Sequence, residues 1–88
     1  MEESLIDAWS VYLRANLAVS EHTLRAYVSD LRAFIVYCQV DELSTENIRS
    51  VVTLRAIRAW LASLVQQGKS RSTISRRTAS IRSFTAWA

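Results

Sequence analysis

The 88-residue sequence contains no proline, one glycine (Gly68), one cysteine (Cys38) and one histidine (His22). Without proline and with a single glycine, the chain lacks the turn residues that punctuate sandwiches, barrels and small disulfide scaffolds. With few consecutive β-branched residues as well, it reads as helices joined by short turns. One cysteine cannot close an internal disulfide, and its place in an apolar stripe fits a reduced, cytoplasmic protein. One histidine cannot support an imidazole metal site, and no serine or cysteine has a His–acid partnership for nucleophilic catalysis. Neither metal nor cofactor is expected. No apolar run approaches the roughly 18–20 residues of a membrane span, and the N-terminus lacks the basic and apolar regions of a signal peptide.

Acid is the most unevenly distributed absence. Residues 1–46 hold all eight acids (Glu2, Glu3, Asp7, Glu21, Asp30, Asp41, Glu42, Glu46) against Arg14, Arg25 and Arg32. Residues 47–88 hold eight basic residues (Arg49, Arg55, Arg58, Lys69, Arg71, Arg76, Arg77, Arg82) and no acid. The net charge of +3 conceals this asymmetry, which points to a polyanionic partner. A membrane surface would want a large free apolar face, whereas the apolar stripes here are needed for a core; double-stranded DNA is the better fit. Half the residues are hydrophobic, enough for one small domain that buries roughly 60–65% of its unfolded surface.

Periodicity predicts four helices. The first runs from about Ser4 to Leu17, with Leu5, Ile6, Trp9, Tyr12 or Leu13, Asn16 and Leu17 on its stripe and Ser4 as cap. The second opens at Ser20 and buries Leu24, Tyr27 with Val28, Leu31, Phe34 with Ile35, and Cys38. Its outer side shows His22, Arg25, Ala26, Ser29 and Arg32; His22 reads as solvated or, from its first-turn position, as a phosphate or base contact. Residues 41–53 form a connector with room for one helical turn. A third helix carries Leu54, Ile57, Trp60 with Leu61, and Leu64 with Val65, and Gly68 supplies its left-handed end. The fourth begins after a basic turn at Ser70 or Ser72, placing Ile74, Thr78, Ile81, Phe84 or Thr85, and Ala88 inward. Its outer face is Thr73, Arg76, Arg77, Ser80 and Ser83, small hydroxyls between guanidiniums without a carboxylate. That composition suits close approach to phosphates, or else is an unpartnered basic surface.

Three segments carry a family resemblance over nearly the whole chain. Ser20-Glu-His-Thr-Leu-Arg-Ala-Tyr-Val-Ser-Asp-Leu31 has Ser20, Thr23, Tyr27, Asp30 and Leu31 at the spacing of the second helix of a core-binding domain. Ile57-Arg-Ala-Trp-Leu-Ala-Ser-Leu-Val-Gln-Gln-Gly68 resembles the following helix with its terminal Gly. Ser72-Thr-Ile-Ser-Arg-Arg77 and Ser80-Ile-Arg-Ser-Phe84 resemble the last. The sequence is similar to the N-terminal, core-binding domain of tyrosine recombinases of the Xer and phage-integrase family, closest to the XerC branch. Thr78, where the family usually has leucine, and Val52-Thr53-Leu54, where it often has an acid, depart from the pattern.

The resemblance implies a compact, all-α, four-helix SAM-like bundle of two crossed antiparallel pairs. Its second and fourth helices would face the major groove of a core recombination site while a separate catalytic domain completes a clamp. Carried onto this sequence, the implied DNA-binding residues are His22, Thr23, Arg25, Ala26 and Ser29, then Ser72, Thr73, Arg76, Arg77 and Ser80, with Lys69 and Arg71 in the turn. Arg76 is assigned to a base edge, and Arg77, Lys69, Arg71 and Arg25 to phosphates. The family's tyrosine nucleophile lies on the catalytic domain. Tyr12, Tyr27 and Tyr37 sit on or beside core stripes, so this single domain, reaching Ala88 where a linker is expected, reads as a non-enzymatic, monomeric part of a recombinase that acts as a tetramer on DNA. Two alternatives remain: a helix-turn-helix transcriptional regulator, and a SAM-like protein–protein interaction module.

Overall fold

Hydroxyl side chains open every long helix. In the computed structural model, which describes residues 4–16 and 18–88, the Asp7 N–H donates to Ser4 Oγ (3.2 Å), Thr23 N–H to Ser20 Oγ (3.1 Å), Ala56 N–H to Thr53 Oγ1 (3.1 Å) and Thr73 N–H to Ser70 Oγ (3.1 Å). Each bond satisfies a donor that the first turn leaves without an intrahelical partner. The resulting elements are α1 (Leu5–Asn16), α2 (Glu21–Tyr37), the single turn α3 (Ile48–Val51), α4 (Leu54–Gln66) and α5 (Arg71–Trp87). The described residues contain no strand. The four expected helices are therefore present, α3 is the turn anticipated in the connector, and the last helix starts from Ser70 rather than Ser72.

Helix ends obey the same accounting. After α4, Gly68 adopts φ 75°, its N–H bonds Val65 O (3.0 Å), and Lys69 N–H bonds Leu64 O (3.1 Å). After α2 the same two bonds run from Gln39 N–H to Val36 O (3.0 Å) and from Val40 N–H to Ile35 O (2.9 Å), with Gln39 at φ 60°. Both are Schellman closures, and only one of them uses glycine. The connector beyond α2 is fixed by Asn47, whose Oδ1 accepts Ser44 N–H (2.9 Å) and whose Nδ2 donates to Glu42 O (2.9 Å). This folds Leu43 into the core, fully buried, where its carbonyl accepts Leu5 N–H (3.0 Å). No periodic stripe pointed to Leu43.

The core is built on an aromatic trio and an aromatic pair. Trp9 meets Phe84 edge-on (5.3 Å) and stacks on Tyr27 (6.1 Å), joining α1, α2 and α5. Phe34 meets Trp60 edge-on (5.3 Å), joining α2 to α4. Ile6, Leu13, Leu24, Leu31, Ile35, Leu64 and Ile81 fill the space between, all at 5% exposure or less. On α1, Leu13 is buried and Tyr12 lies half-buried against Trp87 (6.1 Å), Asn16 is exposed, and Leu17 lies outside the described residues. Tyr37, placed beside a core stripe by periodicity, is 44% exposed. Cys38 caps α2 half-buried, and burial pushes its thiol up from its ordinary value. No helix among the described residues is long and apolar enough to cross a membrane.

The left-handed residues of the two Schellman closures, Gln39 and Gly68, make a matched stability test. Nothing lies within 4 Å of a Cβ built on Gly68, so Gly68→Ala loses only the backbone term, about 1 kcal/mol. Gln39→Gly gains up to about 1 kcal/mol by relieving the same conformation. Trp60→Ala, by contrast, opens a cavity and costs roughly 3–5 kcal/mol. Urea unfolding followed by tryptophan fluorescence or helical circular dichroism orders the three variants.

Candidate nucleic-acid interface

The second and last long helices cross antiparallel. Tyr27 and Phe84 share Trp9, Asp30 touches Ser80, and Phe34 and Arg77 share Trp60, so later residues of α2 meet earlier residues of α5. Of all the helix pairs, this one makes the most extensive contact.

A carboxylate lies at the crossing. Asp30 is 1% exposed and accepts two bonds from Arg76, Nε to Oδ2 (3.1 Å) and Nη2 to Oδ1 (2.7 Å). Ser80 Oγ donates to the same Oδ2 (2.7 Å) and lies 3.0 Å from the Arg76 carbonyl oxygen. Arg77 adds a second cation, its Nε 3.4 Å from Oδ1 without hydrogen-bond alignment, and its guanidinium sits 5.7 Å from the centre of the Trp60 ring. A buried carboxylate needs this many partners, because its desolvation is only offset by close, aligned charge-assisted bonds. The hydrogen bond from Arg76 to Asp30, against the opposing effect of partial burial, holds that guanidinium above its ordinary pKa.

This arrangement corrects two expectations. Ser80, assigned to the DNA-binding face, is fully buried and bonded to Asp30, so it is not a surface contact. The inward stripe of α5 is rotated toward Arg77, Ser80 and Phe84, because Asp30 draws the polar side of the helix against α2. Arg77, expected outside, keeps only 19% of its side chain exposed. The acid-free face of α5 is acid-free in sequence only. Thr78 is half-buried, its hydroxyl bonded back to Ile74 O (2.8 Å), and Thr53, the other departure from the family pattern, caps α4.

The remaining candidates lie on or beside the exposed sides of α2 and α5. His22, Arg25 and Ser29 are exposed on α2, with Thr23 and Ala26 half-buried beside them. Lys69, Arg71, Ser72 and Arg76 are exposed at and after the α4–α5 turn, and Thr73 is half-buried. Ser20 Oγ donates to Thr23 Oγ1 (3.0 Å) and Ser70 Oγ to Thr73 Oγ1 (3.0 Å), so both threonine hydroxyl protons stay free to donate outward. Among the described residues Arg25, Lys69 and Arg71 have no ion-pair partner, whereas Arg14 pairs with Glu21 (3.1 Å) and Arg32 with Asp7 (3.5 Å). Arg32, read on the outer side of α2 but not carried into the DNA-binding set, lines a groove between α2 and α4 together with Ser29, Lys69 and Arg77. Its i+3 spacing from Ser29 was the available signal.

A family model described as phage integrase, N-terminal SAM-like domain, matches residues 6–88. The chain belongs to this family. Relatives named tyrosine recombinase XerC align over 86 residues, or 98% of this chain: one from Mycobacterium sp. (strain JLS) is 41% identical, and one from Mycobacterium tuberculosis (strain CDC 1551 / Oshkosh) is 35% identical. The chain spans 28% of the length of these relatives. No solved structure matches it at a significant level.

Removing the carboxylate tests the crossing. Asp30→Asn is expected to cost about 3 kcal/mol, the low end for breaking a buried pair, because Arg76 is half in water and can rehydrate. Chemical denaturation measures it. A loss below about 0.5 kcal/mol would show that the cluster is not structural.

Proposed function

We propose that this chain is the DNA-binding domain of a site-specific tyrosine recombinase. In this reading α2 and α5 contact the core recombination site and help clamp the duplex for a catalytic domain elsewhere in the parent protein. The observation that carries it is the set of cations around the α2–α5 crossing that have no ion-pair partner among the described residues, Arg25 on one helix and Lys69 and Arg71 at the start of the other, within a chain of this family. Such cations displace counterions from phosphates, the largest sequence-independent term in DNA binding. Thr23 and Thr73, with free hydroxyl protons in the first turns of α2 and α5, add phosphate donors where helix dipoles favour an anion.

The parent protein cleaves and rejoins DNA through its catalytic region and works in the cytoplasm with a second recombinase protomer in a tetramer; the domain alone is a monomer that binds weakly. The relatives' printed name supports this reading, as does the chain's match to about a quarter of their length.

The cluster geometry dictates which variants are informative. Arg76→Ala with Arg77→Ala would leave Asp30 buried without its counter-charges and so confound binding with unfolding. Arg25→Ala, Lys69→Ala and Arg71→Ala leave the fold intact, and each lowers the slope of log affinity against log salt by about 0.9. Fluorescence anisotropy with a labelled duplex at several salt concentrations reads this; unchanged affinity in the triple variant would sink the assignment. NMR shift changes on adding duplex are expected in His22–Ser29 as well as in α5. Changes confined to α4 and α5 indicate a helix-turn-helix regulator, and no response to DNA indicates a protein–protein module.

A further inference from the structure

We infer that Asp30 is a positioning residue for base recognition: it holds the Arg76 guanidinium so that the Nη1–Nη2 edge is presented outward as a fixed two-donor reader of guanine. The inference rests on the DNA-binding reading above and adds to it a division of labour among the cations.

A guanidinium has five N–H donors and two bidentate edges. Asp30 occupies the side edge, Nε and Nη2, at 3.1 and 2.7 Å. The end edge keeps both Nη1 protons and one Nη2 proton, and none of them bonds another described residue. The carboxylate side chain is 0% exposed while that of Arg76 is 46% exposed, so the pair runs from the core outward to solvent. The carboxylate itself cannot turn. Ser80 donates to Oδ2 at 2.7 Å, and the Arg77 Nε faces Oδ1 at 3.4 Å. Two residues of α5, Ser80 and Arg77, thus hold Asp30 of α2, which in turn holds Arg76.

This geometry suits a base edge better than a phosphate. A phosphate accepts a mobile cation from many directions, whereas guanine O6 and N7 form an acceptor pair that matches a guanidinium edge in one orientation. Holding the side chain in advance removes the rotamer entropy that a free arginine loses on binding. Asp30 also cancels part of the local charge, which weakens Arg76 and Arg77 as phosphate neutralisers. Affinity then falls to Arg25, Lys69 and Arg71, and discrimination to Arg76.

The test selects bound sequences from a randomised duplex pool with the 88-residue chain, Arg76→Lys and Ser80→Ala, and measures pool affinity in parallel. Wild type is expected to enrich guanine about tenfold at one position of the bound site. Arg76→Lys keeps the charge but not the fork, and Ser80→Ala loosens the carboxylate. Both should lose that enrichment, and Ser80→Ala, whose buried hydroxyl touches Asp30 rather than DNA, should keep affinity for the unselected pool within about twofold. A merely structural role for Asp30 and Ser80 predicts altered unfolding midpoints with guanine enrichment unchanged. If Ser80→Ala does not fold, Arg76→Lys and the Arg76 Nε–Hε NMR signal decide, the signal being expected to persist in the complex as Asp30 keeps its bond. Guanine enrichment that survives in Arg76→Lys, no guanine preference in wild type, or a lost Nε–Hε bond on binding overturns the inference while the salt-dependent binding reading stands. No binding of the pool at low salt overturns both.

Discussion

A carboxylate sealed between two helices constrains everything around it. Asp30 has no exposed side-chain surface, so its charge must be met by protein groups rather than water. Arg76, Arg77 and Ser80 are spaced along α5 to meet it, and they can do so only if α5 turns its polar side toward α2. That requirement sets the rotation of α5, its crossing with α2, and the depth at which each basic side chain ends. A purely apolar seam would have tolerated several rotations of α5 with similar buried area; a three-bonded carboxylate tolerates one.

The apolar core supports the same geometry from both sides of the crossing. Trp9 ties Tyr27 to Phe84 on one side, and Trp60 ties Phe34 to Arg77 on the other. Arg77 belongs to both systems, paired with Asp30 and lying over the Trp60 ring, so the core and the basic surface meet at one side chain. The hydroxyl caps at Ser20 and Ser70 start α2 and α5 with matching Ser-x-x-Thr turns, which places a donor-ready threonine at the beginning of each.

The candidate DNA-binding cations consequently fall into two groups with different physics. Arg25, Lys69 and Arg71 are exposed and unpaired among the described residues, mobile charges suited to a screened polyanion. Arg76 and Arg77 are paired, oriented and partly dry. Net charge treats these five alike. Their environments do not.

Much was legible from the sequence alone because it depends on local chemistry. The scarcity of turn residues fixed the helical class, hydroxyls marked the helix starts, Gly68 marked the end of α4, and the motifs at Ser20, Ile57 and Ser72 identified the family. The connector's single turn and the exposure of His22, Arg25, Ser29, Lys69, Arg71 and Ser72 followed from the same reasoning. Three features did not. The left-handed Gln39 carries no glycine signal, and Leu43 is drawn inward by a loop that Asn47 folds through bonds no periodicity encodes. Above all, Asp30 and Ser80 stand 50 residues apart; Ser80 read as a surface hydroxyl and Asp30 only as a motif position. Their partnership exists only once α2 and α5 cross, because helical periodicity ranks residues by hydrophobicity within one helix and cannot register a charge supplied by another.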